Sequence, residues 1–340
     1  MKIICDRIQK KGFIGVDEYI EIALYDPEFG FYSKTNDIKT HFTTAPILSP
    51  WFSYAIAKNW LETFPDHLHR GITEWGAGRG DMMYHTLRYL NDHGESSIEY
   101  VCVEQSLQAC ESIQKKIMAL PYSTRKKVHI TNQPVKPSGI IFANEFLDAL
   151  PFKRFKKLSG GLYEEVVFEN DNVLSLGEIE ASDLLNREIS HIKADIPDNY
   201  SSEICLHAND WFEDQLKSSK DTLMVIADYG YTDNEFYHPD RANGTYKCFK
   251  EHNSFNDLLK FPGECDITAH VNFSRLIDRL ENQKYRYRSQ KDFLLDIGIT
   301  AILPNNLSLN ESSAIKTLVM PGQMGDVIKV LEVLVNSEEA

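Results

Sequence analysis

The densest group of chemically capable residues is Glu74-Trp75-Gly76-Ala77-Gly78-Arg79-Gly80. Glycine adopts positive φ without a steric penalty and lets backbone approach a ligand closely. Here three glycines in a GxGxG pattern join an apolar run, Ile72 to Trp75, to a helical pattern that begins at Asp81. A dinucleotide-binding GxGxxG would need glycine at position 81, which is Asp81, and no GK[ST] follows as a Walker loop requires. Glu104 ends the next apolar run, where a carboxylate can accept hydrogen bonds from both hydroxyls of a ribose. Glu74 would repel a phosphate but suits a cationic or amino-bearing ligand such as S-adenosylmethionine. Glycines and acids together point to a nucleoside-containing cofactor. The plainer reading is a tight strand-to-helix turn beside a solvated strand end. The motif alone fixes neither substrate nor reaction.

Positioning these residues requires a sheet. Ile72–Trp75, Ile98–Val103, Val128–Ile130, Gly139–Ala143 and Thr222–Ala227 read as strands, with helices over 81–92 and 106–119. Strands alternating with helices imply an α/β fold, a parallel sheet with right-handed crossovers and helices on both faces. Phe13, Val16, Tyr19, Ile20 and Ala23 fall at helical spacing and predict a helix over 13–25 that stops before Asp26-Pro27. A second helix is predicted over Trp51–Phe64. Residues 1–69 therefore read as an N-terminal helical segment packing on the core. Residues 70–340 read as the sheet domain, with insertions at about 152–221 and 231–285. The first insertion holds hairpin-like residues 152–178 around Ser159-Gly160-Gly161, then helical stretches near 181–192 and 202–219. The second holds Pro262-Gly263 and a predicted helix over 272–282. Lys316–Met320 and Val327–Val335, around Pro321-Gly322-Gln323-Met324-Gly325, predict an antiparallel hairpin at the sheet edge.

Composition narrows the function. The 340 residues carry 36 Lys+Arg and 50 Asp+Glu, a net charge of 36 − 50 = −14, with 42% hydrophobic and 25% charged residues. Such a chain is globular, which excludes wholesale disorder and collagen-like structure. The acidic excess argues against broad binding to nucleic acid or an anionic membrane. Arg286, Arg288 and Lys291 form a short basic cluster that reads as a solvated face rather than an RNA-binding stripe. No apolar run reaches the roughly 18 residues of a membrane span. The N-terminus has no signal-like apolar core, so a bacterial cytoplasmic location is expected. Six cysteines without a CxxC pair read as buried thiols in a reducing compartment. Cys205-Leu206-His207 has no second ligand pair at zinc spacing, so no metal is expected.

Longer strings carry a resemblance. They are Glu21-Ile-Ala-Leu-Tyr-Asp-Pro-Glu-Phe-Gly-Phe-Tyr32, Phe42-Thr-Thr-Ala-Pro46, Ser49-Pro-Trp-Phe52, the Glu74–Gly80 segment and Val103-Glu-Gln-Ser106. Further along come Ala143-Asn-Glu-Phe-Leu-Asp-Ala-Leu-Pro151, Asp228-Tyr-Gly-Tyr231, Gly244-Thr245, Pro262-Gly263, Asp266-Ile-Thr-Ala-His-Val271, Gln290, Phe293-Leu294 and Met324-Gly325. Over about residues 13–332 the chain resembles the MidA-like class I S-adenosylmethionine-dependent methyltransferases. That family includes the mitochondrial complex I assembly factor that methylates an arginine of a complex I subunit. The resemblance implies a Rossmann-like, seven-stranded, mostly parallel sheet with its last strand antiparallel. It also implies methyl transfer from S-adenosylmethionine, with Gly76, Gly78 and Gly80 near the methionine part and Glu104 on the ribose. Asn144 and Glu74 join this cofactor set. The implied partner is a protein, such as a complex I subunit, and not nucleic acid; a homodimer is left open. The chain departs from the family in three places. Thr40-His41-Phe42 replaces the usual Gly-Asp-Phe, Ile47 replaces a glutamate, and Asn272 replaces an aspartate. If those acids steer a cationic substrate, their loss bears on substrate and turnover.

Methyl transfer needs an acceptor lone pair in line with the sulfonium methyl, about 3 Å away. The sulfonium loses charge in the transition state, so a preorganised site matters more than a strong base. For an arginine acceptor, carboxylates must hold the guanidinium in a fork. Asn144-Glu145-Phe146-Leu147-Asp148 sits where the fourth strand ends, at the edge where open α/β sheets place ligands. Glu145 and then Asp148 are the candidate substrate-orienting acids, and Asp228, after the fifth strand, is a third catalytic candidate. The alternative is a helix-capping Asp148 and a structural Glu145. Asp266 and His270 are candidates for a substrate loop, although a lone histidine such as His252 or His270 is more often a structural hydrogen-bonder. Tyr25, Phe29, Phe31 and Tyr32 either cover the cofactor or pack the N-terminal helix. A second function class stays open: a cofactor-binding assembly factor on a methyltransferase scaffold, without turnover.

Overall fold

A computed structural model describes residues 1–34, 44–63, 71–137, 139–171, 173–251 and 253–335. By internal contact these residues gather into two compact units. One comprises Thr43–Phe146, Asp214–Tyr229 and Leu280–Ala340; the other comprises Met1–Phe42, Leu147–Glu213 and Gly230–Arg279. They are called here the sheet unit and the accessory unit.

The sheet unit is built on seven hydrogen-bonded strands in the order Lys284–Ser289, Ile328–Val335, Thr222–Tyr231, Gly139–Asn144, Gly71–Trp75, Tyr100–Val103 and Val128–Thr131. Ile328–Val335 runs antiparallel to both of its neighbours and the other pairings are parallel. The α/β class and the single reversed strand thus agree with expectation. Gly139–Asn144 is buried along all but its last residue, which is why it reads as an unbroken apolar run. Helices Pro50–Thr63 and Asp81–Asp92 bury Phe52, Trp60, Leu87 and Leu90 in the same core as Ile140, Phe142 and Val225.

The sheet's reversed edge differs from the expected hairpin. Lys316–Met320 is not a strand: helix Leu309–Val319 runs through it, started by a capping box in which Ser308 and Glu311 satisfy each other's backbone N–H groups. The antiparallel partner of Ile328–Val335 is Lys284–Ser289 instead. Arg288 is therefore not on a solvated face. Its side chain is 12% exposed and paired with Glu332 on the neighbouring strand at 2.5 Å.

The accessory unit contains the meander Lys153–Leu158, Gly161–Asn170 and Val173–Glu180, with Tyr200–Ile204 paired on its other side. Gly160 and Ser159 form the first turn of the meander, where hairpin material was expected. The predicted helix over 13–25 begins later. Ile14–Gly15 pairs with Val167 and Val166, and the helix is Val16–Tyr25. Likewise 202–219 divides into strand Tyr200–Ile204 and helix Leu206–Ser218, and 272–282 shortens to helix Phe273–Ile277. A small sheet of Asn253–Phe255, Lys247–Lys250 and Asp266–Thr268 completes the unit. Residues 1–69, read from sequence as one segment, divide between the units. The first helices belong to the accessory unit, whereas Pro50–Thr63 belongs to the sheet unit.

Candidate functional site: the glycine turn and the carboxyl ends of the strands

Gly76, Gly78 and Gly80 all have positive φ, at +66°, +52° and +75°. Their surroundings separate them. A Cβ on Gly76 would lie 2.8 Å from the Phe146 ring, and one on Gly80 would lie 2.9 Å from Ile113. At Gly78 the nearest atom among the described residues would be the Gly76 carbonyl oxygen at 4.0 Å. Gly76 and Gly80 thus serve close packing, while Gly78 presents backbone to open space.

Glu104 fixes this turn. Its Oε2 accepts the Gly78 N–H at 2.7 Å, and its Oε1 accepts the N–H groups of Gln105 and Ser106 at 2.8 Å each. Three of the four lone-pair positions of the carboxylate are therefore used within the fold. One remains on Oε2 for a hydroxyl; accepting from both ribose hydroxyls would require the Gly78 N–H to give way. Burial pushes the Glu104 carboxyl up, against the lowering by these backbone donors. Glu74 is 4% exposed and accepts from the Tyr100 hydroxyl at 2.7 Å. Burial pushes its carboxyl up to about 8, with the Tyr100 bond opposing. A cation brought near would favour its ionised form. Asn144 donates its Nδ2 to Glu145 Oε1 at 3.1 Å, while its buried Oδ1 has no donor within reach among the described residues. An open glycine face, an acceptor for a sugar hydroxyl and an unused amide acceptor for an ammonium match the parts of S-adenosylmethionine.

Glu145 follows directly. Its φ is +48°, a left-handed conformation that costs a non-glycine residue roughly 1–2 kcal/mol. Hydrogen bonds within the described residues hold it there. The Glu145 N–H donates to the Ala227 carbonyl at 2.8 Å, and Glu145 Oε1 accepts from the Ala45 N–H at 3.2 Å and from Asn144. Asp228 is fully buried. Its Oδ2 accepts the Phe146 N–H at 3.1 Å and its Oδ1 accepts the Tyr229 N–H at 2.8 Å. Asp228 therefore braces the turn that carries Glu145.

A family model of S-adenosyl-L-methionine-dependent methyltransferases matches residues 53–289. The chain belongs to this family. Among curated relatives, the zebrafish (Danio rerio) protein arginine methyltransferase NDUFAF7, mitochondrial, is 25% identical, with 98% of this chain and 86% of that protein covered. The Caenorhabditis elegans homolog is 26% identical, with 88% and 76% covered. Among solved structures, a Burkholderia thailandensis protein bound to S-adenosyl-homocysteine superposes with a TM-score of 0.88 at 27% identity, covering 98% of this chain and 91% of that one. The cofactor of this methyltransferase is S-adenosylmethionine.

The methyltransferase's remaining predicted residues lie in the accessory unit. Asp148 is half-buried and its carbonyl accepts the Ala269 N–H at 2.9 Å, which ties it to the loop before His270. Asp266 is 2% exposed and accepts from the Tyr32 hydroxyl at 2.7 Å; burial pushes it up to about 6, with the Tyr32 bond opposing. Tyr32 thus bonds an acid of its own unit, and Tyr25 donates to the Ala149 carbonyl at 2.7 Å. His270 lies edge-on to Tyr231, with centroids 5.0 Å apart, and its N–H donates to Thr245 Oγ1 at 3.0 Å. Burial, then Arg241 and Lys247, lower its imidazole to about 4, so it is neutral near pH 7. The departure at Asn272 has a structural account. Its amide caps helix Phe273–Ile277 through Ser274 and also donates to Asp233 at 2.8 Å, which an ionised aspartate could not do. Ile47 lies half-buried on the turn of helix Ala45–Leu48. His41, its neighbours Thr40 and Phe42, and His252 lie outside the described residues. Sequence reasoning missed Glu203, which is 2% exposed and accepts from Arg154, Thr245 and Tyr246. The signal was a lone acid inside the strand Tyr200–Ile204.

Proposed function

We propose that this methyltransferase modifies an arginine side chain of a protein, with a respiratory complex I subunit as the first candidate. One observation carries the reading: Glu145 is held in a costly backbone conformation at the carboxyl end of the strand Gly139–Asn144, beside the cofactor set. The names of the relatives support the same substrate class. When bound, the cofactor supplies an electrophilic methyl on a positively charged sulfonium. The protein's task is to orient the acceptor and withdraw charge from it. A guanidinium stays protonated at neutral pH and presents planar donors. A fixed carboxylate binds two of these and draws positive charge away from the nitrogen that attacks. Asp228 keeps the turn in place, and Asn144 Nδ2 fixes one oxygen of Glu145.

The test is incubation of the full chain with methyl-labelled S-adenosylmethionine and cell lysate, followed by mass spectrometry of the labelled product. The expected result is a labelled protein carrying methylarginine. Tight cofactor binding with no labelled protein would overturn the reading in favour of an assembly factor without turnover. Label on RNA or a small molecule would overturn the substrate class.

A further inference from the structure

In the sheet unit, helices Pro50–Thr63 and Asp81–Asp92 each bury one face. The first buries Phe52, Ile56 and Trp60, and the second buries Met83, Leu87 and Leu90. Their outward faces carry rings at helical spacing. Trp51 and Tyr54 lie edge to face with centroids 5.3 Å apart. Tyr54 reaches Tyr89 at 5.5 Å and His85 at 6.1 Å, and His93 stacks on Tyr89 at 4.1 Å. Four of these rings are half-buried and His93 is exposed. None of them is needed to fill the core. A helix face turned to solvent ordinarily carries charged and polar residues, whereas tyrosine, tryptophan and arginine together are the composition of interface centres.

The charges on these faces decide what covers them. Lys58 is matched by Glu62 at 2.7 Å, and Asp81 by Lys116 at 2.9 Å. Arg88 and Asp92 are exposed, one helical turn apart, and neither forms a salt bridge among the described residues. Arg88 instead rests over the Tyr84 ring at 5.8 Å. An acidic partner would set like charge against Asp92, and a basic partner would set it against Arg88. A second copy of the chain satisfies both. With helix Asp81–Asp92 antiparallel to itself across a two-fold axis near Leu90, Arg88 of each copy meets Asp92 of the other. Such a contact is self-complementary, as a two-fold interface must be. Tyr89 lies one residue from that axis, so the rings meet rings beside it. The two helices are about 21 and 18 Å long at 1.5 Å per residue, which makes a small interface and a reversible one.

We propose that this aromatic face is a homodimer interface, closed by reciprocal Arg88–Asp92 ion pairs. The test is sedimentation velocity of the full-length protein from about 1 μM to about 100 μM, with the melting temperature of every variant measured alongside. Wild type should show a concentration-dependent monomer–dimer equilibrium. Arg88→Asp and Asp92→Arg should each raise the dimer Kd at least ten-fold by setting like charges together. The double variant restores the pairing with its signs exchanged and should return to within about three-fold of the wild-type Kd. These exposed substitutions should leave the melting temperature of the monomer unchanged. Tyr89→Ala gives a reading independent of charge and should also raise the Kd at least ten-fold. A monomer at every concentration would overturn the proposal. So would a dimer indifferent to the charge reversals or to Tyr89→Ala, which would place the interface elsewhere. Failure of the double variant to recover would overturn the reciprocal pairing and the two-fold contact built on it.

Discussion

A carboxyl sealed beneath the glycine turn makes the protein's stability depend on pH. Glu74 is pushed from 4.5 up to about 8 by burial, so between those values the folded chain holds a proton that the unfolded chain has released. Stability therefore falls as pH rises through that window, by at most about 1.4 kcal/mol per pH unit for one proton. Asp266, raised from 3.8 to about 6, contributes with the same sign over its own lower window. Urea unfolding of the cofactor-free protein should give lower stability at pH 8 than at pH 6, and Glu74→Gln should reduce the difference. An unchanged difference in the variant would show that Glu74 does not hold that proton. A cationic cofactor favours the ionised form of Glu74, so its affinity in the wild type should rise over the same range, and Glu74→Gln should flatten that rise.

The turn between the strand Gly71–Trp75 and the helix Asp81–Asp92 assigns different duties to glycines that look equivalent in sequence. Either alanine substitution costs about 1–2 kcal/mol from the left-handed conformation. Gly80→Ala adds overlap with Ile113, a further penalty of about 1–3 kcal/mol, and should lower the melting temperature clearly. Among the described residues, Gly78→Ala meets no atom closer than 4.0 Å; it should keep most of its stability and lose at least ten-fold in cofactor affinity. Equal melting losses with unchanged affinity would refute this division. The same elements show what the sequence could disclose. Strands covered on both faces read as unbroken apolar runs, so the parallel part of the sheet was legible. Lys284–Ser289 was not, because an edge strand alternates lysine, arginine and tyrosine and resembles a solvated loop. Lys316–Met320 misled because its apolar residues suit either structure, and the decisive Ser308–Glu311 capping box lies well upstream. Glycine spacing revealed the cofactor turn. The carboxylates of Glu203 and Asp233 stayed hidden, since their partners are distant in sequence.

Over the whole molecule, the excess of 50 acids over 36 bases disfavours nucleic acid, and several buried acids serve the fold rather than a ligand. Glu203 anchors the accessory unit, and Gly244 exists to admit it: a Cβ there would sit 2.0 Å from Glu203 Oε1. Gly244→Ala should disrupt the buried Arg154–Glu203 pair and cost about 3–5 kcal/mol. Hydrogen exchange should then accelerate at Tyr200–Ile204 while Gly139–Asn144 in the sheet unit keeps its protection. Equal acceleration in both strands would contradict independent local opening.

The most direct test of a carboxylate-oriented methyl transfer compares wild type with Glu145→Gln on one labelled protein substrate, with the cofactor Kd measured on the same preparations. The expected result is a Kd within about three-fold of wild type and a turnover lower by about 10²-fold, the loss associated with removing one preorganised electrostatic contact. Wild-type turnover in Glu145→Gln would contradict the assignment of Glu145 as the acid that orients the arginine.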